Sequence, residues 1–541
     1  MARTNLEVVQ PQGQRRRSIS ALDDQGAIDK SLTAEIVIAL CGPMGTPLHE
    51  VAKTFQDLLK GTDYNYQDVS IIRLSDEIRK LAGLSPDCST KELIDKGNEL
   101  REQHGNAYLA RVAIKTITLA REELNVEHNA PQATLFDEDS DDDLKPIVSI
   151  RCCHIIDSIK NIDELRLLRS VYGDMLHVIG VYAPIEIRID RLSKRTNRGD
   201  HVHLLIDRDS GEEVDYGQQV RETFPQSDFF LRVDSGTDSQ LRSRAKRFLD
   251  LMLGTRIATP TQNERAMYAA YSAARNSACL SRQVGAALLS SDGEVLSTGW
   301  NDVPRPFGGL YETIDSSASV DKDHRCWNLE GGHCFNDEEK DLIARAVVSS
   351  LVRGGIINSD KQAEAIGLIR HGSQLKGLIE FSRAVHAEMH ALLNAGAAHG
   401  AKVRGGRLFV TTYPCHSCAR HIVAAGIKEV YFLEPYRKSL ATKLHSDAIT
   451  EREGDGLKVR ILPFDGVAPS RFLKFFSANA EGRKDPQSGK MRARPPYPVT
   501  AITLEAIPTL ESMAVRSLQF GLPQVVPDPV EGLGGGSSED K

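Results

Sequence analysis

Two short stretches, His386-Ala387-Glu388 and Pro414-Cys415-His416-Ser417-Cys418, decide how this chain is read. Together they offer one imidazole and two thiolates as metal ligands, plus a carboxylate that need not touch the metal. Three protein ligands leave the fourth position of a tetrahedral zinc open, where a water can sit and lose a proton. A closed structural knuckle would need a fourth Cys or His nearby, and would have no use for a Glu two residues after the His. The spacing places His386 and Glu388 at the start of one helix. It places Cys415 and Cys418 at the start of another, where the positive end of the helix stabilises thiolates.

Outward from these motifs the chain reads as alternating α and β elements. A helix is expected over 263–278, a hairpin of strands over 284–289 and 295–300, and strands at 407–411, 429–433 and 459–462. A polar insertion over about 304–337 precedes helices around 338–353 and 362–367. Further upstream, Glu35-Ile36-Val37-Ile38-Ala39-Leu40 reads as a buried strand. It runs into the Gly-rich turn Cys41-Gly42-Pro43-Met44-Gly45-Thr46 and a helix from Leu48 to Leu59. Strands at 69–74, 147–150 and 175–182 alternate with helices at 91–101, 107–122 and 162–171, a pattern that implies a parallel sheet covered on both faces. The acidic block Asp137-Glu138-Asp139-Ser140-Asp141-Asp142-Asp143 reads as a surface insertion.

Composition bounds the answer. A length of 541 residues suggests two or three domains. A net charge of -7 gives no global basic field for nucleic acid. No stretch has the length and apolarity of a membrane span. Arg15-Arg16-Arg17 is not followed by an apolar segment, which argues against secretion. The nine cysteines are scattered, as expected in a reducing cytoplasm. The expected division is a polar leader over 1–33, an α/β unit over 34–256, a zinc unit over 258–475, and a mostly disordered tail over 476–541.

Residues of about 260–475 resemble the dCMP deaminase branch of the cytidine deaminase superfamily. The resemblance rests on Ser281-Arg282-Gln283-Val284-Gly285-Ala286, on Ser297-Thr298-Gly299-Trp300-Asn301, and on the two metal motifs. It implies hydrolytic deamination at C4 of cytosine, with His386, Cys415 and Cys418 on zinc. Glu388 then moves protons between water, N3 and the leaving ammonia. It also implies sugar contact by Asn301 and substrate contact by Arg282 and Lys438. Arg437 and Lys438 in Glu434-Pro435-Tyr436-Arg437-Lys438-Ser439, with His445 and Asp447 following, are either phosphate-gripping or a plain solvated turn. His390 stands where the family carries Asn, either as a polar residue satisfied within the helix or as a functional one. Some family members carry a second zinc. Here Cys326, His333 and Cys334, with His324 or His371, are the candidates for such a structural site.

Gly42, Gly45 and Thr46 resemble the phosphate loop of a nucleotide kinase. Pro47, Leu48 and His49 stand where that loop needs Gly, Lys and Ser/Thr, so a degenerate loop that binds nucleotide is expected rather than an active kinase. Arg101, Arg111, Arg188, Arg191 and Arg195 are possible phosphate contacts. The expected fold class is therefore α/β, with an N-terminal P-loop kinase-like parallel-sheet domain and a C-terminal cytidine deaminase-like α/β/α zinc domain. That combination resembles the bacterial anti-phage dCTP/dCMP deaminases. The resemblance implies zinc as cofactor, dCTP and dCMP as substrates, a homo-oligomer, and an inhibitory RNA from the same locus. A polynucleotide deaminase, a housekeeping dCMP deaminase with a regulatory nucleotide domain, and a non-enzymatic sensor are the alternatives.

Overall fold

A computed structural model describes residues 33–127, 150–195, 217–233, 238–313, 323–329, 331–435, 439–477, 483–491, 498 and 506–519. The Arg15–Arg17 triplet, the acidic block at 137–143, and Arg437 with Lys438 lie outside the described residues, as does the side chain of Arg195.

In chain order the first half comprises β1 (Ile36–Cys41), α1 (Leu48–Lys60), β2 (Asp68–Arg73), α2 (Leu74–Ala82), α3 (Thr90–His104) and α4 (Tyr108–Glu127). It continues with β3 (Cys152–Asp157), α5 (Ile162–Tyr172), β4 (Leu176–Tyr182), α6 (Ile185–Arg195), β5 (Phe229–Arg232) and α7 (Asp238–Met252). The strands lie in the order β5-β4-β1-β3-β2 and all run parallel. Every residue of β1 is buried. Its alternate side chains serve opposite faces, as the period of two in a strand demands. Ile36, Ile38 and Leu40 pack with α1 and α7. Val37, Ala39 and Cys41 pack with α4 and α5.

The second half comprises α8 (Gln262–Ala273), the hairpin β6 (Gly285–Leu289) and β7 (Val295–Trp300), α9 (Phe335–Arg353), α10 (Gln362–Gly372) and α11 (Ala387–His399). It continues with β8 (Arg407–Thr412), α12 (His416–Ala424), β9 (Glu429–Glu434), β10 (Ile449–Thr450), β11 (Val459–Pro463) and β12 (Gly466–Val467), and α13 (Ala506–Gln519) closes the described chain. A second sheet runs β10-β11-β9-β8-β6-β7, antiparallel from β7 to β8 and parallel beyond. One of its faces carries α11 and α12. The other carries α8, whose Ala266, Met267 and Ala270 share one apolar cluster with Ala287, Leu289 and Phe409 of the second sheet and with the first half.

The two halves are joined by backbone as well as side chains. β12 adds antiparallel to β5, extending the first sheet with residues from the second half. Glu264 on the first turn of α8 accepts from Thr261 N, in a capping box. It also takes Arg247 Nη2 at 2.7 Å and Val467 N at 2.9 Å, tying α7, α8 and β12 to one buried carboxylate.

Several sequence expectations differ from this picture. The third strand is Cys152–Asp157, not 147–150, of which only Ile150 is described. Its run Cys-Cys-His-Ile-Ile masks an apolar strand, because Cys152, Cys153 and His154 look polar yet are all buried. β5 and α7 escaped the sequence reading altogether. The stretch expected to be mostly tail contains the helix α13. Amid its Arg- and Pro-rich surroundings α13 has only a short apolar stripe, Ile507, Val515 and Leu518, and at its centre the fully buried Glu511. Helices this short draw their stability from tertiary packing. Glu511 pairs with Arg121 and accepts from Tyr172 Oη at 2.8 Å and Thr118 Oγ1 at 3.1 Å. Arg121 holds Glu35 on its other side at 2.6 Å. Burial alone would push the Glu35 carboxyl up, but Arg121 overrides it and holds it below its ordinary range.

Two consequences follow from these contacts. Arg121→Met leaves two carboxylates buried without their cation, so it should cost on the order of 3–5 kcal/mol. It should also expose α13 to protease before the sheets unfold, which denaturant melts and limited proteolysis would show. At Gly299 an added Cβ would lie 2.4 Å from Ala387 O and 2.5 Å from Ala391 N. Gly299→Ala should therefore push α11 off β7 and lower stability by about 1–3 kcal/mol, measured by thermal melting.

Candidate active site

Two helix starts meet at one end of the second sheet. His386 is the N-cap residue of α11, and Cys415 is the N-cap residue of α12. The His386 helix lies against β7, where Gly299 removes the side chain that would hold it away. The residue before His386 is pinned by Val385 N donating to Asp302 O at 2.9 Å, just beyond β7. Cys415 lies three residues beyond the end of β8, and its Sγ accepts from Cys418 N at 3.4 Å, so the sulfur itself caps the helix.

These placements bring the ligand atoms of His386, Cys415 and Cys418 within 4.8 Å of one another. His386 Nδ1 lies 3.2 Å from Cys418 Sγ and 3.4 Å from Cys415 Sγ. The Cys418 thiol and the His386 ring, both hydrogen-bonded to Cys415, hold the Cys415 thiol down at about 4. The same contact with Cys415 pushes His386 up to about 8. One imidazole between two sulfurs, one of them readily ionised, suits a thiophilic divalent ion such as zinc. Glu388, the second residue of α11, is buried, and burial followed by the neighbouring Cys415 raises its carboxyl above the ordinary range. It stands beside the three ligands without being one of that group. A buried carboxyl with a raised pKa beside a group of potential metal ligands is equipped to take and return protons.

The remaining sequence candidates fall into place unevenly. Asn301, immediately after β7, is buried and accepts from Val284 N at 2.7 Å through Oδ1 while donating to Arg282 O at 2.8 Å through Nδ2. It therefore fixes the Arg282–Val284 turn and keeps a second amide hydrogen for a ligand. Arg282 is exposed and lies 3.4 Å from Glu434 Oε2. Glu434, at the end of β9, is a rim residue that the sequence reading did not single out, although it stood in the stretch quoted for its cations. His390 is satisfied within the fold: Nδ1 accepts from Trp300 N at 3.3 Å, and Nε2 lies 3.0 Å from Asn394 Nδ2. Tyr413, two residues before Cys415, donates to Glu451 at 2.8 Å.

The cysteines of the insertion gather differently from expectation. Cys326 and Cys334 line a cavity of about 20 Å³ together with Cys279, which precedes the Ser281–Ala286 stretch. His333 turns to Glu338 at 3.1 Å. Among the described residues, the groups able to share one ion are His386 with Cys415 and Cys418, and Glu35 with Cys152 and His154. The second group is already engaged, Glu35 by Arg121 and His154 by Ser70 at 2.8 Å. The insertion therefore does not bring Cys326, His333 and Cys334 to one ion.

Of the arginines, Arg101 is buried against Glu164 at 2.8 Å, Arg111 donates to His104 O, and Arg188 Nε donates to Met44 O at 2.7 Å in the Gly42–Thr46 turn. Arg191 pairs with Glu50.

Known proteins agree with the second half of this description. Residues 260–434 match the family model for the cytidine and deoxycytidylate deaminase zinc-binding region. The deoxycytidylate deaminase of enterobacteria phage T2 is 29% identical over 170 residues, covering 31% of this chain and 78% of that protein. ComE operon protein 2 of Bacillus subtilis (strain 168) is 43% identical over 56 residues, which is 10% of this chain and 29% of that protein. The crystal structure of the dCMP deaminase from cyanophage S-TIM5 in complex with dCMP and dUMP aligns at 21% identity and a TM-score of 0.23, covering 38% of this chain and 99% of that one. The chain thus carries, over residues 260–434, a dCMP deaminase-like domain of the cytidine deaminase type.

Proposed function

We propose that this chain is a zinc-dependent deaminase of free deoxycytidine nucleotides, dCTP and dCMP, releasing ammonia and the deoxyuridine nucleotide. The observation that carries the reading is the convergence of His386, Cys415 and Cys418 beside the buried, separate carboxyl of Glu388. Zinc, when held by those three residues, supplies the Lewis acidity that makes a water nucleophilic at neutral pH. Glu388 accepts the proton of that water and passes it to N3 of the cytosine. It then takes the proton of the hydroxyl now on C4 and delivers it to the amine as the C4–N bond breaks, leaving a carbonyl oxygen at C4 and releasing ammonia. Asn301 orients the sugar through its remaining amide hydrogen, and Arg282 faces the phosphates from the rim, with Lys438 assigned the same task from its sequence position.

A free nucleotide suits this chain better than a polynucleotide. The net charge is -7 and aromatic residues make up 6%, whereas single-strand binders need a basic groove with stacking platforms. The pairing of such a domain with an upstream parallel α/β unit supports a role in depleting dCTP during phage infection. A homo-oligomer and an inhibitory RNA from the same locus would belong to that role.

The test uses the purified, zinc-loaded chain with dCMP, dCTP, CTP and single-stranded DNA, reading ammonia release. Release from dCMP or dCTP is expected, and release from DNA alone would refute the proposal. Glu388→Ala should retain zinc while turnover falls roughly 10²- to 10⁴-fold. Cys415→Ala should instead lose the metal on dialysis, seen as a fall in bound zinc by atomic absorption.

A further inference from the structure

A single residue, Pro414, separates Tyr413 from Cys415. A proline fixes its own φ and confines the residue before it to extended conformations. Few soft torsions therefore remain between the Tyr413 backbone and the Cys415 sulfur. Cys415 Sγ in turn caps α12 through Cys418 N at 3.4 Å, which ties the second thiol to the first. Wherever Tyr413 is held, both sulfurs follow.

Tyr413 is buried, and it is held through its backbone, its hydroxyl and its ring. Its N–H donates to Glu434 O at 2.8 Å, at the end of β9. Its hydroxyl donates to Glu451 Oε1 at 2.8 Å, just beyond β10. Its ring stands edge-on to Phe432, with centroids 4.9 Å apart. The carbonyl that follows, Pro414 O, accepts from Ser439 Oγ at 2.7 Å.

These supports reach into the first half. Phe432 also meets the ring of Tyr182 at the end of β4, edge-on with centroids 6.0 Å apart. Tyr182 packs both on the apolar cluster beneath α11 and α12 and on the one that includes the first sheet. Arg452, next to Glu451, reaches Glu186 on the first turn of α6 at 3.1 Å. Exposed ion pairs of this kind contribute little, so the aromatic contact is the firmer tie. Edge-to-face rings prefer a defined geometry, which suits them to fixing a neighbour's place.

We propose that Tyr413 is a positioning residue for the two thiols, held through its hydroxyl by Glu451 and through Phe432 by Tyr182 of the first half. The second half then depends on the first for the geometry of its metal ligands. This assignment rests on the reading of His386, Cys415 and Cys418 as metal ligands, and extends it to a residue outside that group. Cobalt(II) in place of zinc in the full chain provides the test, because thiolate-to-cobalt charge-transfer and d–d absorption report the ligand arrangement without turnover. The unsubstituted chain should show both bands. Tyr413→Phe should keep its fold by circular dichroism, yet shift the d–d bands and weaken zinc binding about 10- to 100-fold in chelator competition. Glu451→Gln keeps an acceptor for the hydroxyl and should retain the original spectrum, whereas Glu451→Ala should behave like Tyr413→Phe. Tyr182→Leu, made in the other half, should also shift the d–d bands. Unchanged bands and zinc affinity in Tyr413→Phe would overturn the proposal. A shift there with none in Tyr182→Leu would overturn the part assigned to the first half. Absence of the charge-transfer band from the unsubstituted chain would instead overturn the metal-ligand reading itself.

Discussion

Everything at the His386, Cys415 and Cys418 site depends on α11 lying at backbone distance from β7. That approach is possible because Gly299 has no side chain where Ala387 O and Ala391 N pass. With the helix there, its first residue reaches the end of the sheet where β8 delivers Cys415 and Cys418. Ligand geometry is therefore set by rigid elements, not by loops, and a metal site so built loses little entropy on closing. The small residues of α11, Ala387, Ala391 and Ala395, are the other half of the same close contact.

Buried charge plays the corresponding part between the two halves. Glu264 is shared by the cap of α8, by Arg247 on α7 and by the backbone of β12. Arg121 stands between Glu35 at the start of the first sheet and Glu511 on the C-terminal helix. Buried pairs of this kind contribute more to which segments meet than to net stability, because desolvation offsets much of their attraction. Segments far apart in sequence are thereby fixed to one register.

The Gly42–Thr46 turn and the metal loop are also close relatives in contact terms. Arg188 holds Met44 O and bears electrostatically on Glu451. Glu451 takes the hydroxyl of Tyr413, which precedes Pro414 and Cys415. Tyr182 at the end of β4 stacks edge-on to Phe432 of β9, with centroids 6.0 Å apart. The carboxyl ends of both sheets are joined across this seam.

The sequence by itself picked out His386, Cys415 and Cys418 as one group of potential metal ligands with Glu388 beside them, and the αβ alternation on which they ride. Those are local matters of residue type, spacing and periodicity. It also showed that the Gly42–Thr46 turn lacks the lysine of a phosphate loop, but not that Lys160, three residues beyond β3, comes to Gly42 O. Strand β3 was misplaced because Cys152, Cys153 and His154 read as polar, and α13 was missed because the groups it packs against, Arg121 among them, lie almost 400 residues away. Asn301 read as a sugar contact and His390 as either a satisfied polar residue or a functional one, and the fold shows which groups each already holds. Tertiary structure alone decided the partner of each buried polar atom, since a hydrogen bond or ion pair depends on distance in space and leaves no period in the sequence.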